Sequence, residues 1–127
     1  MNYPFIPKST SYLEQGHYWP IKLENGKYAS GVVLAKLVTA QKIESRIFYA
    51  GLLNWVGANE PTAQDIENSD VLKKGALHVK SIVECGSRIQ GKAFFKNQFA
   101  PIVEYSERVN TMGYQMPVVL ANKHFSQ

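Results

Sequence analysis

A chain of 127 residues that is 45% hydrophobic and 19% charged has the composition of a folded protein and excludes a disordered one. Its net charge of +4 is too small to mark a nucleic-acid binder by itself, and its single cysteine, Cys85, excludes an internal disulfide framework. A chain of this length buries roughly two thirds of its unfolded surface, so one domain over 1–127 is expected, with no metal or disulfide needed for a core.

Residues 1–15 carry Pro4, Pro7 and a Ser9-Thr10-Ser11 cluster, and read as an extended lead-in with one turn near Ser11–Glu14. Tyr3, Phe5, Ile6 and Tyr12 make this segment too apolar for a free tail, so it should lie along the surface. It lacks the basic start and long apolar stretch of a signal peptide, and no apolar run in the chain approaches the ~20 residues of a membrane span. The expected location is the cytoplasm, with no membrane partner.

The clearest local signal is a hairpin. Strands are expected at about His17–Leu23 and Lys27–Leu37, joined at Asn25-Gly26 by a two-residue type I′ turn, with Glu24 and Lys27 as a cross-strand charge pair. Val32 and Leu34 oppose Ala29, Val33 and Leu37 across the second strand, so it should be covered on both sides. Gly31 inside it points to a bulge or a close backbone approach. Thr39–Ser45 reads as a polar connection, Arg46–Leu53 as a third strand, and Asn54–Glu60 as a loop anchored by Trp55.

Pro61–Ser69 carries a helix-start signature, with Thr62 as N-cap and Asp65 three residues on, and the helix should be short because Ile66 is its anchor. Lys73-Lys74-Gly75 closes this segment. Ala76–Cys85 alternates as a half-exposed strand, with Leu77, Val79, Val83 and Cys85 on one face. Gly86 and Gly91 bracket a turn or short strand. Ala93–Phe95, Ile102–Tyr105 and Pro117–Leu120 are further short strands, with a turn at Met112–Tyr114. The whole is a mainly β (α+β) protein, a small strongly curved antiparallel sheet or SH3-like barrel with one or two short helices.

Gly16, Pro20–Leu23, Asn25–Ala29 and Gly31–Leu34, followed by Gly57, Glu60-Pro61-Thr62, Leu72 and Gly75, form a pattern that resembles immunity protein family twenty-six of the bacterial polymorphic toxin systems. The resemblance spans roughly residues 14–92. It implies a small β-rich protein, made in the cytoplasm of the toxin-producing cell, that binds and blocks a cognate toxin domain, a nuclease being one candidate. It brings no position-by-position functional residues with it.

No catalytic, cofactor or metal constellation accompanies that reading, and an enzyme is not expected. His17, His78 and His124 lie in separate segments without zinc-ligand spacing. Cys85 and His78 are seven apart, so on one strand they face opposite ways, and Cys85 reads as a small buried residue. Gly86–Lys92 lacks the spacing of a phosphate loop.

The candidate partner-binding residues are Trp55, Glu60, Asp65, Glu67 and Asp70. The four acids fall in residues 47–72, where Lys and Arg are absent. Their ordinary role is a solvated helix with acids at its favourable end; their functional role is an acidic patch that docks on a basic toxin cleft. Tyr18, Tyr28, Tyr49, Trp55 and Tyr114 are too many aromatics for one small core, and aromatics are frequent hot spots. The competing function is a small nucleic-acid-binding barrel, with Lys73, Lys74, Lys80, Arg88, Lys92 and Lys96 as a basic face and Phe94, Phe95 and Tyr105 as stacking platforms.

Overall fold

The computed structural model describes residues 2–94, 100–106 and 109–125. Its elements are β1 (His17–Lys22), β2 (Tyr28–Thr39), β3 (Lys42–Leu53), α1 (Ala63–Glu67), β4 (Val71–His78), α2 (Lys80–Glu84), β5 (Gly91–Lys92), β6 (Ile102–Glu104), β7 (Thr111–Met112) and α3 (Met116–His124). The fold is mainly β. Seven strands form one mixed sheet in the order β5-β1-β2-β3-β4-β7, and β6 pairs with β2 beyond the end of β1. The four long strands are antiparallel, as the hairpin signals imply, whereas β6 on β2 and β7 on β4 are parallel. Among the described residues the strand path is open, ending at β5 and β7, and there are three short α-helices rather than one or two.

Strand alternation builds two apolar layers. Trp19, Ile21, Ala29, Val33, Phe48, Ala50, Leu52 and Leu77 lie on one face, covered by Leu13, by Ile82 of α2, and by Ile89, Met112 and Ala121 of α3. Tyr18, Val32, Leu34 and Leu53 lie on the other, covered by Ile66 of α1 and by Ala93, with Trp55 and Tyr49 at its margin. Strand β2 is therefore covered on both sides, which accounts for its continuous apolarity.

The two hairpin turns exchange the roles that their residues suggest. Lys22 pairs with Tyr28, so the β1–β2 loop is longer than two residues. The Gly26 N–H donates to the Leu23 carbonyl, the Leu23 N–H donates to the Lys27 carbonyl, and Gly26 has φ +86. This is a type I turn closed by a glycine bulge over Glu24-Asn25-Gly26, the standard three-residue alternative to the expected type I′ turn. The Asn25 Oδ1 atom accepts from the Lys27 N–H at 2.9 Å, and no ion pair joins Glu24 to Lys27 among the described residues.

The β2–β3 connection, expected as a polar loop over Thr39–Ser45, is instead a two-residue turn. Thr39 pairs with Lys42, and Ala40 and Gln41 occupy the left-handed region at φ 51 and 66. Register between two long strands dictates this geometry against local preference, since a residue with a Cβ is disfavoured there by about 1 kcal/mol. Replacing Ala40-Gln41 by Asn-Gly should raise stability by about 1–2 kcal/mol in urea unfolding with the m-value unchanged. A neutral or destabilising result would mean that the turn is not of this type.

Three further expectations are corrected. Ala76–Cys85 is not one strand: β4 starts earlier, takes in Lys73-Lys74-Gly75, and stops at His78, after which the chain turns into α2. Val79 and Ile82, three residues apart, are both buried, which is a helical spacing hidden within the alternating pattern. Pro117–Leu120 is not a strand but lies in α3, with Pro117 in its first turn, where the missing N–H costs nothing. The lead-in turn is a 3₁₀ helix at Thr10–Tyr12 capped by Ser9, starting one residue earlier than expected.

The lead-in does lie along the surface, with Phe5 bridging to Ile89 and the Thr10 hydroxyl donating to the Glu44 carbonyl at 2.6 Å. Ile102–Glu104 pairs as a strand, as expected, and Thr111–Met112 pairs ahead of the turn at Gly113–Gln115. The Ala93–Phe95 strand falls partly outside the described residues; the segment that pairs is Gly91–Lys92.

Candidate functional site

Helix α1 is formed as its sequence directs. The Thr62 hydroxyl accepts from the Asp65 N–H, and the Asp65 carboxylate accepts from the Thr62 N–H at 2.9 Å, a reciprocal capping box. Ile66 is fully buried beneath it, so the helix sits on the second apolar layer with its acids outward. Asp65 is thus committed locally. Its charge also reaches Tyr18, whose hydroxyl is pushed up from its ordinary pKa by burial first and by Asp65 second.

Glu67, at the end of α1, accepts a hydrogen bond from the Phe94 N–H at 3.3 Å. Phe94 is itself 84% exposed. The backbone of an uncovered aromatic residue is thereby tied to the end of an acidic helix. Trp55 is half-buried: it packs against the second layer and lies over Gly57, where a Cβ would come within 2.6 Å of its ring. Gly57 in turn bridges to Tyr28. Trp55 is therefore the loop anchor, and Phe94 is an exposed aromatic on the α1 side. Asp70 is exposed, and its carbonyl accepts the Asn54 N–H at 2.8 Å, tying the end of β3 to the start of β4.

Glu60 belongs to different surroundings. It lines a cleft of about 190 Å³ together with Pro20, Lys22, Tyr28, Arg88 and Gln90, whose floor includes Cys85. The five candidate residues thus divide: Asp65 and Glu67 lie on α1, Trp55 supports that side, Asp70 closes a strand connection, and Glu60 faces the cleft. The pattern of acids did not separate these roles, because Pro61 buries and redirects the chain between Glu60 and the helix.

The basic residues among those described are spread across the sheet. Lys92 on β5 pairs with Glu14 at 2.8 Å, while Lys73 and Lys74 lie on β4, four strands away, or about 19 Å at ordinary strand spacing. Lys96 and Phe95 lie outside the described residues, and the Tyr105 hydroxyl meets Thr111 at 2.9 Å, away from the contact that Phe94 makes with Glu67.

The histidines and Cys85 have structural surroundings. His17 is fully buried on β1: its Nδ1 accepts the Glu14 N–H at 2.9 Å and its Nε2 meets the Tyr3 hydroxyl at 2.9 Å. His78 stacks edge-on against Tyr114 at 5.2 Å. Cys85 caps α2 rather than lying on a strand with His78; its thiol donates to the Ile82 carbonyl at 3.1 Å, and burial pushes its pKa up, so it stays a neutral thiol. Among the described residues no group of three or more His, Cys, Asp or Glu is placed to hold a metal ion, and no helix is long and apolar enough to cross a membrane. No protein family, curated protein or solved structure matches this chain.

Proposed function

We propose that this chain is an immunity protein, which binds and neutralises a cognate bacterial toxin domain of a polymorphic or contact-dependent system in the cytoplasm of the producing cell. Its action is binding rather than catalysis. The resemblance over residues 14–92 supplies the class. The observation that carries the choice of surface is the hydrogen bond from the Phe94 N–H to Glu67, which ties a residue with an exposed aromatic ring to the end of α1. An exposed aromatic beside a helix that carries Asp65 and Glu67 suits a basic cleft, such as the phosphate-holding cleft of a nuclease: the acids steer encounter and the ring supplies buried area. The sheet that carries this surface is, in this reading, strongly curved, and the register shifts between Val33 and Ala35 and between Lys36 and Val38 would supply the bend.

The test is co-expression with the toxin domain encoded immediately upstream, with growth and pull-down as readouts. Growth should be restored and a complex recovered. Phe94→Ala, at a side chain that contributes little to the core, should weaken the complex by about 2 kcal/mol, roughly thirtyfold. Glu67→Lys should slow association mainly at low salt. Absence of any complex overturns the immunity reading; full affinity in Phe94→Ala moves the interface elsewhere.

A further inference from the structure

The cleft beside the first hairpin has a chemistry that the toxin-binding reading does not use. It is walled by Pro20 and Lys22 of β1, Tyr28 of β2, Glu60, and the Cys85–Gln90 segment that follows α2. Lys22 and Tyr28 are directly paired across the two strands, so their spacing is set by the sheet. The opposite wall is held by Ile89, fully buried and bridged to Phe5.

The polar side chains that line this cleft are not spent on the protein. Among the described residues, Lys22, Tyr28, Glu60, Arg88 and Gln90 make no side-chain hydrogen bond or ion pair with one another or with a neighbour. Two cations, a phenol and a carboxamide converge with their donors unsatisfied, against one carboxylate. A concavity with a few convergent polar groups is how small-ligand sites are built, and an Arg–Lys pair with neutral donors matches a compact oxyanion. We propose that this cleft is a binding site for a small phosphate-type oxyanion, held by Lys22 and Arg88 and oriented by Tyr28 and Gln90. A volume of about 190 Å³ admits such a group with a small substituent. The site uses neither α1 nor Phe94, so its fate is independent of the toxin-binding reading.

Cys85 provides a built-in reporter, being the chain's one cysteine and part of the cleft. The full chain is titrated with inorganic phosphate at constant ionic strength, and amide shifts in NMR and the rate of Cys85 alkylation by iodoacetamide are followed. Saturable shifts confined to residues 20–28 and 85–90 are expected at millimolar phosphate, with alkylation slowed several-fold. Lys22→Gln and Arg88→Gln, both at exposed positions, should each weaken binding by about tenfold. Glu60→Gln should tighten it, because a like charge is removed. Non-saturating or dispersed shifts, unchanged affinity in the Lys22 and Arg88 variants, or weaker binding in Glu60→Gln would each overturn the assignment.

Discussion

Gly31→Ala should cost about 3 kcal/mol or more and lower the melting temperature by roughly 10 °C. Trp19 and Gly31 are paired directly across β1 and β2, and the indole of Trp19 occupies the space where a side chain of residue 31 would start. A Cβ at residue 31 would run into Cζ2 and Cε2 of that ring. The ring cannot swing aside, because Trp19 is 1% exposed and meets Phe48 edge-on at 5.9 Å in the middle of the larger apolar layer. Either the strands part or the core repacks, and each loses close contacts that the native packing has. The glycine is there for close approach rather than for an unusual backbone angle. The strand's register shifts lie further along, beyond Val33. Trp19→Leu should also destabilise, by leaving a void, but the added methyl of Gly31→Ala would enter that space. The double variant should therefore be at least 1–2 kcal/mol more stable than the sum of the two singles, on the scale of contacting pairs. Additive effects in urea unfolding would show that the ring and the glycine do not share this contact.

The same residue marks how far the sequence is legible. Gly31 stands out as an interruption in an apolar run, which suggests either a bulge or a close approach, but its cross-strand partner Trp19 depends on register. Register here follows from a three-residue turn rather than the two-residue turn that Asn25-Gly26 favours in isolation. Strand positions on β1, β2 and β3 are visible because burial on both faces forces near-continuous apolarity. The switch at His78 is not, since the end of a strand and the five-residue helix after it can share one apolar pattern, and what settles α2 is Ile82 finding the sheet through an i, i+3 step from Val79. Helix α1 is legible down to its capping box because both partners are local. The face it forms with Phe94 is not, since residues 67 and 94 meet only in the fold. The cleft is the extreme case: Lys22, Glu60 and Arg88 come from three separate segments, and nothing in their spacing connects them.

Stability should fall by about 2 kcal/mol between pH 7.5 and pH 5, and His17 should account for most of that fall. The geometry fixes its charge state. Nδ1 accepts the Glu14 N–H and so carries no proton, which leaves the proton on Nε2, donated to the Tyr3 hydroxyl. The ring is neutral and closed in by Tyr3 and Phe5, each edge-on to it at under 6 Å. Burial pulls its pKa down from 6.5 to about 4; the Glu14 carboxylate resists that shift and Lys92 adds to it. Between those values the unfolded chain binds a proton that the folded one refuses, so stability is lost as pH falls through 6.5 and the loss is complete below about 4. Protonation would also set a new N–H against the Glu14 N–H, so the residue that fastens the lead-in to β1 becomes the one that releases it. His78 is shifted in the same direction, by burial first and then by Lys80 and Arg46, so some slope should remain without His17. Glu14, held below its ordinary range by its hydrogen bond and charge contact with Lys92, adds its own loss at more acid pH. His17→Asn keeps an acceptor near the Glu14 N–H and cannot titrate; it should be less stable than the wild type at pH 7.5 but lose most of the slope between pH 7.5 and 5. Urea unfolding at the two pH values measures both quantities. An unaltered slope in the variant, or an NMR titration of His17 near 6.5, would show that the ring is not held neutral by this pocket.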